Sequence, residues 1–96
     1  MRVVIATPAR QELANAIEFY TAEAPGLAED FVQEFEAGLH QLARLPHSGA
    51  PYHHGTRRLL LRRFPFSVIY RVEPDRIGVV AIAHQRRRPD YWAESR

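Results

Sequence analysis

The chain has 96 residues, no cysteine and a formal net charge of +2. A chain of this length has room for one compact domain with a small core. Without cysteine, neither disulfides nor thiolate-bound metals can stabilise that core, and no apolar run is long enough to span a bilayer. The start of the chain also lacks the apolar stretch of a signal peptide. We therefore expect a single domain over residues 1–96, located in the cytoplasm and not associated with a membrane.

Charge is divided unevenly along the chain. Residues 1–56 carry three arginines and seven acidic residues, whereas residues 57–96 carry ten arginines and four acidic residues. Guanidinium groups bind phosphates and carboxylates through paired hydrogen bonds and stay charged when a partner excludes water. The arginine-rich part therefore predicts an acidic partner, either a nucleic acid or an acidic protein.

The first part of the chain predicts a strand followed by a helix. The β-branched residues 3–5 favour a strand. Thr7 and Pro8 then predict a helix start with Thr7 as the N-cap. Apolar residues recur at steps of three and four and form one stripe: Leu13, Ala16, Ile17 and Tyr20. Charged residues, Glu12 among them, are placed off this stripe.

A second helix is predicted after a break at Pro25-Gly26. It runs from Leu27 to about Leu45 and has one apolar face. The residues of this face are Phe31, Phe35, Leu39 and Leu42. Because the connection is short, we expect the two helices to lie antiparallel.

Residues 46–56 contain two prolines, two glycines and three histidines, a composition typical of a loop. Histidine is a common metal ligand, and the three here are His47, His53 and His54. Adjacent histidine side chains point in different directions, however, and no acidic residue lies nearby in the sequence to complete a site. We therefore expect a solvated loop and no bound metal.

From residue 57 onward the pattern is extended. Residues 57–64, 66–72 and 76–84 are rich in β-branched, leucine and aromatic side chains, which predicts a three-stranded antiparallel meander. Alternate residues of the middle strand face opposite sides of the sheet. One set is Phe66, Val68, Tyr70 and Val72, and the other is Ser67, Ile69 and Arg71. One of these two faces is expected to pack against the helices.

The other face of the predicted sheet is more apolar than contact with water favours. If the strands pair in simple register, four apolar residues lie on it: Leu60, Ile69, Val80 and Ile82. We therefore expect this face to be covered, either by Tyr91 and Trp92 near the C-terminus or by a partner protein.

Three sequence segments, in their order and spacing, resemble one known family. They are IEFY at 17–20 with PGLA at 25–28 and Phe31, then RFPFSVIYRV at 63–72, and finally VAIAH at 80–84 followed by RRPDYW at 87–92. Together with the element order they resemble the RelE/ParE family, the toxins of type II toxin–antitoxin systems, over nearly the whole chain. The resemblance implies an α+β fold in which a helical hairpin packs on a twisted antiparallel sheet, in the order β-α-α-β-β-β, with residues 3–5 as a further strand.

The resemblance also implies a function and its partners. Such a toxin arrests growth when free and is silenced by a cognate antitoxin, with which it forms a hetero-oligomer. One branch of the family, the ParE type, poisons DNA gyrase, and the other cleaves messenger RNA on the ribosome. Neither activity implies a cofactor or a metal.

The residues favour the ParE branch. Metal-independent RNA cleavage needs cations that stabilise the phosphorane charge and groups that move protons. The matching residues in this chain are Arg58, Arg62, Arg87 or its neighbour Arg86, and Tyr91. Where the RNA-cleaving relatives carry an arginine on the middle strand, this chain has Ser67, and the loss of such a cation costs on the order of 10²-fold in rate. The nuclease remains the alternative, with Arg71 or His84 as substitutes, and a third is a member that binds antitoxin without toxicity.

Two sets of residues are assigned to partners. The target-binding set is Arg86, Arg87, Arg88, Tyr91 and Trp92, and the antitoxin-binding set is the four apolar residues Leu60, Ile69, Val80 and Ile82. Adjacent arginines cannot all face one way, so some are expected to pair with local acids such as Asp90 or Glu94. Tyr91 and Trp92 are also expected to pack against the core, and His84 is expected to serve mainly as a hydrogen-bonding residue.

Overall fold

The computed structural model describes all residues, 1–96. A helical hairpin packs on one face of a five-stranded mixed sheet. Its elements are β1 (Arg2–Ile5), α1 (Thr7–Glu23), α2 (Leu27–Arg44), β2 (Ala50–Pro51), β3 (Arg57–Leu60), β4 (Phe66–Val72) and β5 (Arg76–His84). The strand order is β1-β5-β4-β3-β2, with β1 parallel to β5 and the other pairs antiparallel. The predicted α+β fold and element order are confirmed, and neither helix has the length and apolar character needed to cross a membrane.

The first helix begins one residue earlier than predicted. Ala6 occupies the N-cap position in an extended conformation, and no side chain caps the helix. The backbone N–H of Ala6 donates to the carbonyl of Val79 at 3.0 Å, so Ala6 is still attached to the sheet and the helix starts directly after it. The prediction that Thr7 is the N-cap is therefore wrong. The predicted break is confirmed, because Gly26 has a φ of 81°, a left-handed conformation that favours glycine.

The core lies between the hairpin and the sheet. The core includes a group of aromatic rings from both layers, formed by Tyr20, Phe31, Phe64 and Phe66. Ring centroids within the group lie 5.0 to 6.2 Å apart, mostly edge to face. Aromatic pairs in this arrangement stabilise a core beyond the apolar area they bury. The group therefore fixes the connected ends of the helices over the turn between β3 and β4.

The first strand of the meander is shorter than predicted. It ends at Leu60, because a turn follows in which the carboxylate of Glu34 on α2 accepts the backbone N–H groups of Arg62 and Arg63. These amides are directed to a helix side chain and are not available to a neighbouring strand. A two-residue strand, β2, which the sequence pattern did not predict, pairs with the start of β3.

A β-bulge at Val80 changes which face the following residues occupy. Ile69 pairs with Ala81 and Tyr70 pairs with Val79, so Val80 has no partner on β4. An extra residue of this kind reverses the alternation of the strand after it. Ile82 consequently lies opposite Val68 within the main core and is 2% exposed. The assignment of Ile82 to the face away from the helices is therefore wrong.

The face away from the helices is covered by the chain's own C-terminal segment, residues 85–96. Trp92, which is 1% exposed, packs on Ile69 and Val80 together with Ala81 and Ala83. The rings of Tyr52 and Tyr91 lie at the margin of this second cluster. The prediction that Tyr91 and Trp92 pack on this face of the sheet is therefore confirmed.

Candidate functional site

The C-terminal segment is joined to α1 through the carboxylate of Glu12. This carboxylate accepts hydrogen bonds from the hydroxyl of Tyr91, from the guanidinium of Arg96 at 2.8 Å and from the backbone N–H of Ile82 at 3.0 Å. The pairing of β1 with β5 ends at Val79, so the outer edge of β5 is free beyond that point. Glu12 takes the place of a strand there and satisfies one of the free edge groups.

Glu12 reaches the sheet because of its position on the helix. It lies three residues after Ala9 and four residues before Ala16, so it shares their face of α1. Ala9 and Ala16 are 0% and 5% exposed, and their small side chains allow the helix to approach the sheet closely. The prediction that Glu12 lies off the buried stripe is therefore wrong. Its spacing from the two alanines was the sequence signal that could have located it.

Burial and the Glu12 carboxylate set the protonation states in this network. Burial raises the pKa of Tyr91 to about 12, and the hydrogen bond and charge of Glu12 act in the same direction. Burial alone would lower the pKa of Arg96, but the hydrogen bond and charge of Glu12 raise it above its ordinary value. At neutral pH Tyr91 therefore keeps its proton and Arg96 keeps its charge, so the charge of Glu12 is matched.

Three arginines of the C-terminal segment are exposed, and they differ in their partners. The Nε of Arg88 lies 3.3 Å from a carboxylate oxygen of Asp90, which confirms the predicted local pairing. The guanidinium of Arg87 lies over the ring of Tyr91, 3.9 Å from its centroid, and forms no ion pair. The guanidinium of Arg86 forms no ion pair either. Two cations are therefore free to meet a phosphate or a carboxylate.

The two aromatic residues of the target-binding set are less exposed than its three arginines. The side chain of Trp92 is buried, and its Nε1–H donates to the carbonyl of Pro89 at 3.0 Å. The hydroxyl of Tyr91 is committed to Glu12, and only part of its ring is exposed. Both residues hold the segment in place in this structure. Contact of the five residues with a target stays a prediction.

A groove of about 530 Å³ lies beside these arginines, between α1 and the end of β5. We call it the α1–β5 groove. Its lining residues are Glu12, Asn15, Ala16, Phe19, Tyr20, Pro65, Phe66, Ile82, His84, Arg87 and Tyr91. Phe19 is 56% exposed, so much of its ring is accessible to a partner. His84 packs edge to face on Phe66, and its Nδ1 accepts the backbone N–H of Arg86 at 3.1 Å.

Three arginines on the strands of the meander make contacts that hold the fold together. Arg57 donates to the carbonyl of Gly49 at 2.8 Å, and Arg71 donates to the carbonyl of His54 at 2.6 Å. Both bonds fix the loop that precedes β3 on the sheet. Arg58 stacks over the ring of Tyr52, 4.6 Å from its centroid. The cation of Arg71, a predicted substitute in the nuclease alternative, is therefore already engaged with the loop.

The residues of the nuclease alternative do not lie together. Arg58 stacks on Tyr52 on the face away from the helices, and Arg62 lines a second groove between α2 and β3, about 440 Å³ in volume. We call this second site the α2–β3 groove. Arg87 and Tyr91 are adjacent and line the α1–β5 groove. The structure thus brings together one pair of the four predicted residues.

The four residues of the predicted antitoxin-binding set are also separated. Leu60 is 52% exposed and lines the α2–β3 groove. Ile69, Val80 and Ile82 are 1%, 8% and 2% exposed. Ile69 and Val80 lie beneath Trp92, so a partner could reach them only after the C-terminal segment has moved away. Contact of the set with an antitoxin stays a prediction.

The histidine-containing loop forms a tight turn. His54 has a φ of 58°, its carbonyl accepts the bond from Arg71, and its ring lies 5.7 Å from that of Trp92. No three residues among the histidines, aspartates and glutamates lie close enough together to hold a metal ion.

Comparison with known proteins identifies relatives of the chain. Residues 3–89 match the family model described as "ParE toxin of type II toxin-antitoxin system, parDE". A solved structure titled "Chromosomal ParDE TA system from P. aeruginosa" superposes with a TM-score of 0.76 and 26% sequence identity, over 88% of this chain and 95% of that one. No curated protein matches the sequence.

Proposed function

Because this chain belongs to the ParE toxin family of type II toxin–antitoxin systems, we propose that it arrests growth by binding DNA gyrase and that a cognate antitoxin silences it. The chain would act in the cytoplasm, where both partners are found. The observation that carries the proposal is the pair of exposed guanidinium groups on Arg86 and Arg87, which form no ion pair within the molecule.

The C-terminal segment supports a binding role because it is held in one position. Tyr91 and Arg96 bond to Glu12, and Trp92 is buried against the sheet. A cation on a fixed segment loses less conformational freedom on binding than one on a mobile tail. The surface around Arg86 and Arg87 therefore fits an acidic target, either carboxylates of gyrase or phosphates of its bound DNA.

The alternative is a ribosome-dependent messenger-RNA endonuclease. One observation favours it: Arg87, Tyr91 and His84 line the same groove and include both a cation and a proton-carrying group. Two observations oppose it. Arg58 and Arg62 lie elsewhere, and the Tyr91 proton is held by Glu12, which makes Tyr91 a poor general acid or base near neutral pH. The gyrase proposal is preferred for these reasons.

The two targets can be distinguished in cells and in vitro. Induction of the chain should trigger the DNA-damage response, and the purified protein should inhibit the supercoiling activity of gyrase. New messenger-RNA 5′ ends that cluster within codons after induction would instead favour the endonuclease. Folded protein that produces neither effect would support the third alternative, a member that binds antitoxin without toxicity.

The antitoxin partnership has its own test. Expression of the chain alone should arrest growth, and coexpression of the small gene next to it should restore growth. The two products should also copurify as a hetero-oligomer. Normal growth of a strain that accumulates intact, folded chain would contradict the proposed toxicity.

A further inference from the structure

The α1–β5 groove combines an apolar surface with an uncompensated cation. Its floor and walls come from both layers of the fold, with Tyr20 on α1 and Phe66 and Ile82 on the sheet. Phe19 extends from α1 at the margin and is 56% exposed. Six of the eleven lining residues are apolar. The groove can therefore accept an apolar side chain of a partner protein beside the cation of Arg87.

The charges in the groove indicate the chemistry of its partner. The charge of Glu12 is matched by Arg96, which lies 2.8 Å away, and the Tyr91 hydroxyl beside it is neutral at ordinary pH. Arg87 forms no ion pair, so its guanidinium is the unmatched charge of the groove. A carboxylate on the partner would complete this pair, and an apolar side chain beside that carboxylate would contact Phe19 and Phe66.

We propose that the α1–β5 groove binds a segment of the antitoxin that places a large apolar side chain against Phe19 and an acidic residue against Arg87. This inference rests on the proposed function, in which an antitoxin silences the chain. Because Arg87 also belongs to the proposed target-binding surface, the bound segment covers one of the two free cations. The antitoxin and the target therefore compete for the same arginine.

The α2–β3 groove is the competing site within the molecule, and it is less suited to such a segment. Four of its nine lining residues are apolar, and its one carboxylate, Glu34, already accepts the amides of Arg62 and Arg63. Matched controls lie at the end of α2, outside both grooves. Leu45 is 56% exposed, the same value as Phe19, and Arg44, like Arg87, is exposed and forms no ion pair.

The test compares four single variants of the full chain for binding to the purified antitoxin encoded next to it, by titration calorimetry. Circular dichroism first establishes that each variant is folded. Phe19→Glu and Arg87→Glu should each weaken the affinity about tenfold or more, as substitutions at central interface residues do. Leu45→Glu and Arg44→Glu should stay within about twofold of the original affinity.

If Phe19→Glu and Arg87→Glu bind the antitoxin with unchanged affinity, the groove is not the binding site. Gyrase is absent from this binding measurement, so the result does not depend on whether gyrase is the target. If the unmodified chain itself does not bind the antitoxin, the proposed partnership is wrong and this inference is wrong with it.

A chemical protection experiment tests the same site without a substitution. Phenylglyoxal modifies exposed arginines, and mass spectrometry of the digested chain reports each position separately. The bound antitoxin should protect Arg87 and leave Arg62 reactive. Equal modification of Arg87 in the free and antitoxin-bound chain would overturn the proposal.

Discussion

The hydroxyl of Tyr91 donates to the carboxylate of Glu12, a residue 79 positions earlier in the chain. The same carboxylate accepts the backbone N–H of Ile82 and the guanidinium of Arg96. One side chain thus joins α1, the edge of β5 and the C-terminal segment. Because Arg87 stacks on the ring of Tyr91, the position of this proposed target-binding residue depends on Glu12 as well.

The first prediction concerns this network. Glu12→Gln removes the charge that balances Arg96 and leaves the amide nitrogen facing one of three donors. Loss of charged hydrogen bonds at a largely buried site should lower the free energy of unfolding by about 2–4 kcal/mol. Urea unfolding monitored by fluorescence is a suitable measurement, because Trp92 is the chain's one tryptophan and packs the C-terminal segment against the sheet.

Glu18→Gln is the matched control. Glu18 lies on the same helix, is exposed and forms no ion pair, so its substitution should change the free energy of unfolding by less than about 0.5 kcal/mol. Equal stabilities of the Glu12 and Glu18 variants would mean that the network contributes nothing measurable to the fold.

The β-bulge gives a second prediction. Ile82→Ala should lower the free energy of unfolding by about 2–4 kcal/mol, because its side chain is 2% exposed in the main core and truncation leaves a cavity. Leu60→Ala should change it by less than about 0.5 kcal/mol, since Leu60 is 52% exposed. Thermal unfolding of both variants provides the comparison. If Ile82→Ala is as stable as Leu60→Ala, Ile82 is not buried in the core.

The sequence predicted the elements of the fold better than the faces of its strands. Helix periodicity and the Pro25-Gly26 break located α1 and α2, because both signals are local. The bulge at Val80 is a shift in the pairing of β5 with β4, and the alternation of residues within β5 alone does not mark it. A single extra residue was therefore enough to move Ile82 from one face to the other.

Only part of the candidate site could be predicted, and the reason is similar. Exposed arginines and the packing of Tyr91 and Trp92 follow from residue type and position near the C-terminus. The role of Glu12 does not, because its three partners lie between 70 and 84 residues further along the chain. Only the folded arrangement of α1 against β5 brings them together.

The third prediction concerns toxicity. The double variant Arg87→Ala, Arg88→Ala should lose toxicity, because it removes a free cation and a cation whose exposed pair with Asp90 contributes little to stability. The free energy of unfolding should stay within about 1 kcal/mol of the original value, as is usual for surface substitutions. Growth after induction and thermal unfolding of the purified variant are the two measurements.

The control for this variant is Arg2→Ala, Arg44→Ala. Both arginines are exposed and lie away from the C-terminal segment, Arg44 forms no ion pair and Arg2 has an exposed one with Asp75, so toxicity should be retained. A folded Arg87, Arg88 variant that remains fully toxic would remove the C-terminal arginines as the target-binding surface. The arginines of the first meander strand and the turn after it would then be the next to substitute: Arg57, Arg58 and Arg62.

The last prediction concerns the alkaline limit of stability. The pKa of Tyr91 is raised from 10.0 to about 12 by burial and by Glu12, so the folded state favours the protonated phenol. A group of this kind contributes its full stabilisation below its ordinary pKa, and the contribution is lost as the pH rises towards the folded pKa. The free energy of unfolding should therefore fall between pH 10 and 12.

The control for this prediction is Tyr91→Phe, whose free energy of unfolding should fall less steeply over the same range. Some fall should remain, because burial also raises the pKa values of Tyr20 and Tyr70. Subtracting the phenolate absorbance titration of Tyr91→Phe from that of the original chain isolates the Tyr91 step. A midpoint near the ordinary value would show that the Tyr91 hydroxyl is neither buried nor bound to Glu12 in solution.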